Sequence, residues 1–375
     1  MTDEVKIVEM TYVSFRGTPR RAFPTTPYHR LRRKSMADVT IYTLAEELNM
    51  TPSMVSRAFS PGGKINEEKR RRVLELAEKY NFSPNKLASR LSRRKIRIGI
   101  LLRCRFQVNA DKMLAGIEEA YGMLKDYKIE YDITVINPVA DKSCNYEEIL
   151  EKYSDYDGII ISGFSSEKHT DVIDRIYKKN PNIVQVQAIN AEANCLFASK
   201  HNEQTASYMA AEFLHNCLKR SEGKNVLLFT GDCESALHKA AAAHFENACR
   251  DFGLNLIETV DMKDDEEYLK QILPQVFRRC GEVDGIYITS GISDALCGYL
   301  DKNRKDAFLV TFDTHAEIKK YMEKGVVSAT IEQNVSNQMC TAFKGLVRYI
   351  IDGEKSPETV YTDIQLVLKS NMNQF

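Results

Sequence analysis

Val39-Thr40-Ile41-Tyr42-Thr43-Leu44-Ala45, followed after five residues by Thr51-Pro52-Ser53-Met54-Val55-Ser56-Arg57-Ala58-Phe59, decides how the first hundred residues are read. Three short amphipathic patterns lie in and after this stretch. Residues 43–49 put Leu44, Ala45 and Leu48 on one face, 52–59 put Val55 and Phe59, and 67–80 put Val73, Leu74, Ala77 and Tyr80, the spacing of helices that share a small core. Each has a start signal. Thr51 before Pro52 is an N-cap with proline at the first helical position, and Asn66 before Glu67 and Glu68 sets a cap and two acids at the positive end of a helix. The link between the first two helices is very short, as in a helix-turn-helix.

The charge distribution follows the same division. The chain has 375 residues, 43% of them hydrophobic, with 52 basic and 52 acidic side chains. That composition excludes a disordered polymer and gives room for two or three domains. The zero net charge hides a split: residues 1–97 hold 21 basic and 10 acidic side chains, net +11, and residues 98–375 carry the compensating −11. Nine cysteines occur without a C-x-x-C pair, which fits a reduced cytoplasm and no zinc site. No apolar run approaches the roughly 18 residues of a membrane span, and the basic N-terminus lacks the apolar segment of a signal peptide.

Residues 1–35 carry eight basic and three acidic side chains and no periodicity; they read as a disordered basic extension or as the product of a start assigned ahead of Met36. The alternative is an arm that adds phosphate contacts. Residues 36–84 form the helical unit, and 85–96 a hinge helix and linker ending in Arg93, Arg94 and Lys95. From residue 97 to 375 strands and helices alternate: strands at 97–102, 130–136, 158–162 and 183–187 with helices at 110–125, 146–153 and 167–179, then helices at 204–218, 235–252, 265–278 and 335–351 with strands at 226–230, 285–289, 308–312 and 328–331. This predicts two doubly wound α/β lobes, each with a mostly parallel sheet, and a cleft between them.

The usual marks of catalysis are missing. There is no G-x-G dinucleotide fingerprint and no phosphate loop, and Gly291-Ile292-Ser293-Asp294-Ala295 lacks the final glycine of a nucleophile elbow. The seven histidines never take a metal-protease spacing. No catalytic residue, metal or cofactor is assigned.

The opening stretch, together with Tyr80-Asn81-Phe82-Ser83-Pro84-Asn85-Lys86-Leu87-Ala88-Ser89-Arg90-Leu91, resembles the DNA-binding headpiece of the lactose-repressor family of bacterial transcription regulators over about 60 residues. The resemblance implies a dimer on a pseudo-palindromic double-stranded operator. Thr51, Ser53 and Met54 take exposed positions at the start of the second helix while Val55 packs inward, and Arg57 lies one turn beyond Ser53, where it would reach a guanine edge or a phosphate. Pro52 stands where relatives often carry a base-reading side chain. Thr40, Tyr42, Thr51, Ser56 and Asn66 can donate to phosphates. In the family the hinge carries Pro-Asn and a leucine that wedges into the minor groove, here Asn85 and Leu91.

Beyond residue 97 the alternation resembles the periplasmic sugar-binding-protein fold that this family uses as an effector sensor. Val310-Thr311-Phe312-Asp313-Thr314 and Val327-Ser328-Ala329-Thr330-Ile331-Glu332-Gln333 look like ribose-type binding proteins, and this implies that Asp313 and Gln333 hydrogen-bond sugar hydroxyls. Arg105, Phe106 and Asn109 after the first strand, Phe164 after the third and Ser290 in the second lobe are further candidates, because open α/β sheets bind ligands at strand carboxyl ends. Two departures stand out. Ala241 replaces an arginine that often clamps ligand oxygens, and His201-Asn202 replaces an Asp-Asn pair. The expected effector is a sugar or cyclitol and the expected activity repression; the other readings are a ligand-free dimerisation domain and an enzyme fused to a headpiece.

Overall fold

Thr51 and Pro52 start a helix in the computed structural model as their chemistry requires. The model describes residues 41–59, 64–80, 95–125, 127–141, 143–221, 223–233, 235–303 and 306–375, without the side chains of 41 and 42. The expectations for the 1–35 extension, for Thr40, for the Tyr42 side chain and for the hinge with Asn85 and Leu91 lie outside the described residues. The chain divides into two compact units, residues 1–85 and 86–375.

In the first unit α1 (Ile41–Glu47), α2 (Pro52–Ala58) and α3 (Glu67–Lys79) follow one another. The Met54 N–H donates to Thr51 Oγ1 at 3.3 Å and the Glu68 N–H to Asn66 Oδ1 at 2.9 Å, so both caps satisfy amides that a helix start leaves open. Leu44, Ala45, Val55, Ala58, Val73 and Ala77 form the core. Leu74, expected in that core, is 44% exposed. Val73 and Ala77 already fill the inward stripe, and a residue next to Val73 sits about 100° around the helix. The Tyr80 hydroxyl donates to Glu47 at 2.8 Å and Arg70 Nη1 to the Ala58 carbonyl at 3.3 Å, tying α3 to α1 and α2.

The second unit contains two sheets. In chain order its elements are β1 (Ile96–Arg103), α4 (Gln107–Met123), β2 (Ile129–Ile136), α5 (Tyr146–Tyr153), β3 (Gly158–Ser162), α6 (Thr170–Lys179), β4 (Ile183–Val186) and β5 (Phe197–Lys200). There follow α7 (Glu203–Cys217), β6 (Asn225–Thr230), α8 (Ala236–Phe252), β7 (Asn255–Asp261), α9 (Glu266–Cys280), β8 (Gly285–Ile288), α10 (Asp294–Asn303) and β9 (Phe308–Phe312). The last are α11 (Ala316–Lys324), β10 (Ala329–Glu332), α12 (Val335–Asp352), β11 (Thr359–Tyr361) and β12 (Gln365–Val367). One sheet runs β11-β5-β4-β3-β1-β2, all parallel, and the other β12-β10-β9-β8-β6-β7, parallel except for β12. Every residue of β3, β8 and β10 is buried, the mark of strands covered on both faces.

Each sheet with its helices is one lobe, and neither lobe is a continuous piece of sequence. Among the described residues the chain crosses between lobes three times, from β5 to α7, from β10 to α12 and from β11 to β12. The crossing to α12 is buttressed by α4, where Gly116 approaches so closely that an added Cβ would stand 2.1 Å from the Ser336 carbonyl oxygen. Gly122, on the same helix, has nothing within 4 Å of that position. The same substitution therefore has opposite signs at the two sites. Gly116→Ala is expected to lower the unfolding free energy by about 1–3 kcal/mol through overpacking, and Gly122→Ala to raise it by about 0.5–1 kcal/mol through helix propensity. Urea unfolding of the two variants measures this, and a loss of stability in both contradicts the packing described.

Candidate functional site

Glu332 ends β10, and its 6% exposed carboxylate meets both lobes. Lys112 of α4 donates to its two oxygens at 3.0 and 2.9 Å. From the second lobe the Thr314 N–H donates at 2.9 Å, and the Asn334 N–H at the crossing donates at 3.1 Å. A buried carboxylate needs a countercharge and several donors. This one has them, and it thereby fixes the crossing into α12.

Beside it, a cavity of about 680 Å³, counting the part open to solvent, lies between the lobes. Phe106 enters from the β1–α4 connection and Asn109 from the first turn of α4, Gln187 follows β4, and His201 sits in the crossing after β5. The opposite wall holds Ala241 of α8, Asp264 after β7, Thr289 and Ser290 after β8, Asp313 after β9 and Gln333 after β10. These are strand carboxyl ends facing each other, the position in which open α/β sheets present polar side chains to a ligand.

Asp313 is 5% exposed with φ 66°. Gln333 Nε2 donates to its Oδ2 at 2.9 Å, while Oδ1 is buried without a partner. Burial first, and then the Glu332 charge, push the Asp313 carboxyl up to about 6, against the pull of Lys112 and Gln333. Asp264 is set differently. Burial pushes its carboxyl up, but bonding and charge from His238, a bond from the Ser290 hydroxyl and another from the Asp232 N–H outweigh this and leave it below its ordinary value. His238 Nε2 lies 3.2 Å from Asp264 Oδ2, and Ser290 donates to Oδ1 at 2.9 Å. His201, 5% exposed against the Phe312 ring, is pushed down by burial, which disfavours its charged form.

Phe106, Asn109, Ser290, Asp313 and Gln333 are thus brought together on one cavity. Arg105 is not among its lining residues; its guanidinium lies 5.8 Å from the Phe106 ring centre. Phe164, expected in the cleft, is 1% exposed and packs edge-on against Tyr146 and His169. Gly163, at φ +84°, turns the chain so that Phe164 returns into the lobe. Gln187, His238, Asp264 and Thr289 were not anticipated from sequence. Asp264 would have been found by the strand-end rule had β7 been recognised. Among the described residues no group of His, Cys, Asp and Glu could hold a metal ion, and no helix is long and apolar enough to cross a membrane.

In the first unit, Thr51, Ser53, Ser56, Arg57 and Asn66 are exposed, Pro52 and Met54 are half-buried, and Val55 and Ala58 are buried. The outward face of α2 therefore carries small polar side chains and one guanidinium. Thr51 Oγ1 also lies 3.3 Å from the Ser53 hydroxyl, and Asn66 spends its carbonyl oxygen on its own helix cap.

Residues 110–355 match the family model of the periplasmic binding protein domain. The chain belongs to that family. Catabolite control protein A of Priestia megaterium is 25% identical over 237 residues, 62% of this chain and 67% of that protein. The HTH-type transcriptional regulator pepR1 of Lactobacillus delbrueckii subsp. lactis is 23% identical over 340 residues, 89% of this chain and 98% of that protein. Among solved structures, GanP, a glucose-galactose binding protein from Geobacillus stearothermophilus, superposes with a TM-score of 0.66 at 18% identity, covering 74% of this chain and 99% of that one. The likeness to GanP is one of fold. Together these matches bear out the resemblance to lactose-repressor-family regulators with a periplasmic-binding-protein-like domain.

In this family member Asp313 makes stability depend on pH. Because its folded value is raised to about 6 from 3.8, the folded chain holds the proton more tightly than the unfolded one, so its contribution is present below pH 4 and is lost as pH rises through 6. Asp313→Asn, which keeps an acceptor for Gln333, is expected to be more stable than the wild type at pH 7.5 by on the order of 1–3 kcal/mol and to lose that advantage at pH 4. Denaturant titrations of both proteins at the two pH values measure the difference; an advantage that does not grow with pH contradicts the assignment.

Proposed function

We propose that the protein is a ligand-responsive transcription regulator, a repressor that binds a pseudo-palindromic double-stranded DNA operator as a cytoplasmic homodimer and is controlled by a carbohydrate-type effector in the inter-lobe cavity. One observation carries this reading: a capped helix with an exposed face of Thr51, Ser53, Ser56 and Arg57 is joined in one chain to a two-lobed α/β unit with a polar cavity at its strand ends. The regulator pepR1 aligns across both parts. Catalysis is not part of the proposal.

In this reading the N-terminus of α2 enters the major groove. Ser53 and Met54 face bases, and Arg57 pairs with a guanine edge. Thr40, Tyr42, Thr51, Ser56 and Asn66 fix the register on phosphates. Asn85 and Leu91 belong to the hinge, with Leu91 wedging a minor-groove step. An effector that binds one arrangement of the lobes better than the other changes operator affinity by its differential free energy, about 1–3 kcal/mol for a typical coupling.

Selection of bound fragments from a genomic DNA pool, followed by gel-shift titration of the selected site, tests the proposal. Arg57→Ala is expected to weaken binding to that site about 5- to 150-fold, the equivalent of about 1–3 kcal/mol, and binding of either protein is expected to fall steeply with salt. Recovery of no enriched site, or an Arg57→Ala protein that binds as tightly as the wild type, contradicts it.

A further inference from the structure

The charge on the cavity wall narrows the ligand class. Among the lining side chains are the carboxylates of Glu203, Asp264 and Asp313, and there is no lysine or arginine. The surrounding 98–375 segment is itself net −11. Ala241 takes up wall that a longer, basic side chain would have made attractive to anions.

The three carboxylates differ in what they lack. Glu203 accepts from Lys200 at 2.9 and 3.0 Å, and Asp264 is held by His238 and Ser290. Asp313 lies almost wholly inside the protein, and its Oδ1 is buried without a partner. Lys112 lies nearby but bonds to Glu332. Asp313 is therefore a buried acid, next to a second buried acid, with one oxygen unmet and no cation bonded to it. A hydroxyl donor would fill the hydrogen bond alone. An ammonium would fill it and supply the countercharge, and charge-assisted bonds are roughly twice as strong as neutral ones. Phe106 and Phe312 add apolar ring surface to the wall, suited to the carbon face of a ring and, in the right geometry, to a nearby cation.

We propose that the cavity takes a polyhydroxylated ligand bearing a protonated amine, an amino sugar or aminocyclitol whose ammonium pairs with Asp313, and that it rejects sugar phosphates and sugar acids. This rests on the ligand-sensor reading above and deepens it. A phosphate dianion would have to shed its water against three carboxylates with no lysine or arginine in the wall and the His238 imidazole paired with Asp264, which sets the exclusion.

Isothermal titration of the full chain with matched probes tests the proposal. The probes are D-glucosamine and D-galactosamine, their parents D-glucose and D-galactose, N-acetyl-D-glucosamine as the amine with its charge removed, and D-glucose 6-phosphate. The expected result is that at least one amine binds about tenfold or more tighter than both its parent sugar and N-acetyl-D-glucosamine, that the phosphate does not bind, and that Asp313→Asn, shown folded by its circular dichroism, loses the preference. Parent sugar or phosphate binding as tightly as the amine overturns the amine assignment and leaves the sensor reading standing. Amine preference retained by Asp313→Asn overturns the role of that carboxylate. No binding by any probe overturns the sensor reading and the proposal with it.

Discussion

One buried carboxylate, that of Glu332, holds the larger unit together at the point where its chain is least continuous. Each lobe is assembled from separated stretches of sequence, and only short segments join them. A strand that ends one sheet and leads into the helix covering the other needs a fixed exit angle. Glu332 supplies it by accepting from Lys112 on one lobe, from the Thr314 amide on the other and from Asn334 in the crossing itself. Its solvation by four donor contacts offsets the desolvation that would otherwise force the group to neutralise.

The cavity follows from that arrangement. The crossing places Gln333 over Asp313, and the Glu332 charge adds to burial in raising the Asp313 carboxyl. Backbone strain gathers around the same cavity. Gln187, Asp264 and Asp313 line the cavity with φ of 68°, 47° and 66°, and Asn334 beside it has φ 55°. Such conformations cost of order 1–3 kcal/mol each for ordinary residues, less for Asn and Asp, and persist where the surroundings fix them. The first three turn the chain after strand ends and so bring a polar side chain to the space between the lobes, while Asn334 turns its side chain onto the Asn337 N–H as the cap of α12.

Much of this was legible in the sequence because buried parallel strands are nearly continuous apolar runs. The β3 stretch, Gly158-Ile159-Ile160-Ile161-Ser162, and the β9 stretch, Phe308-Leu309-Val310-Thr311-Phe312, have the expected bounds, as does α5. What was not legible lies where that signal fades. β5 is the four residues Phe197-Ala198-Ser199-Lys200, and β7 alternates with charged side chains at an edge of its sheet. Strands β11 and β12 have three residues each. Missing β7 hid Asp264, and so hid the His238–Asp264–Ser290 cluster. Asp313 and Gln333 were reached through the resemblance, whereas the role of Glu332 was not, since nothing in sequence shows that Lys112, 220 residues away, bonds to it. Phe164 was misplaced because the strand-end rule does not register a left-handed glycine that turns the next side chain inward.

The account stands or falls on whether Glu332 and Lys112 act as a unit. A double-mutant cycle of Lys112→Met, Glu332→Gln and the pair, read by denaturant unfolding at pH 7.5, tests it most directly. The account predicts that the double variant is less damaged than the sum of the singles by about 1–3 kcal/mol, because removing either partner strands the other in the interior. Additivity within about 0.3–0.5 kcal/mol would mean that the two side chains do not depend on each other, and it would contradict the claim that this carboxylate holds the lobes.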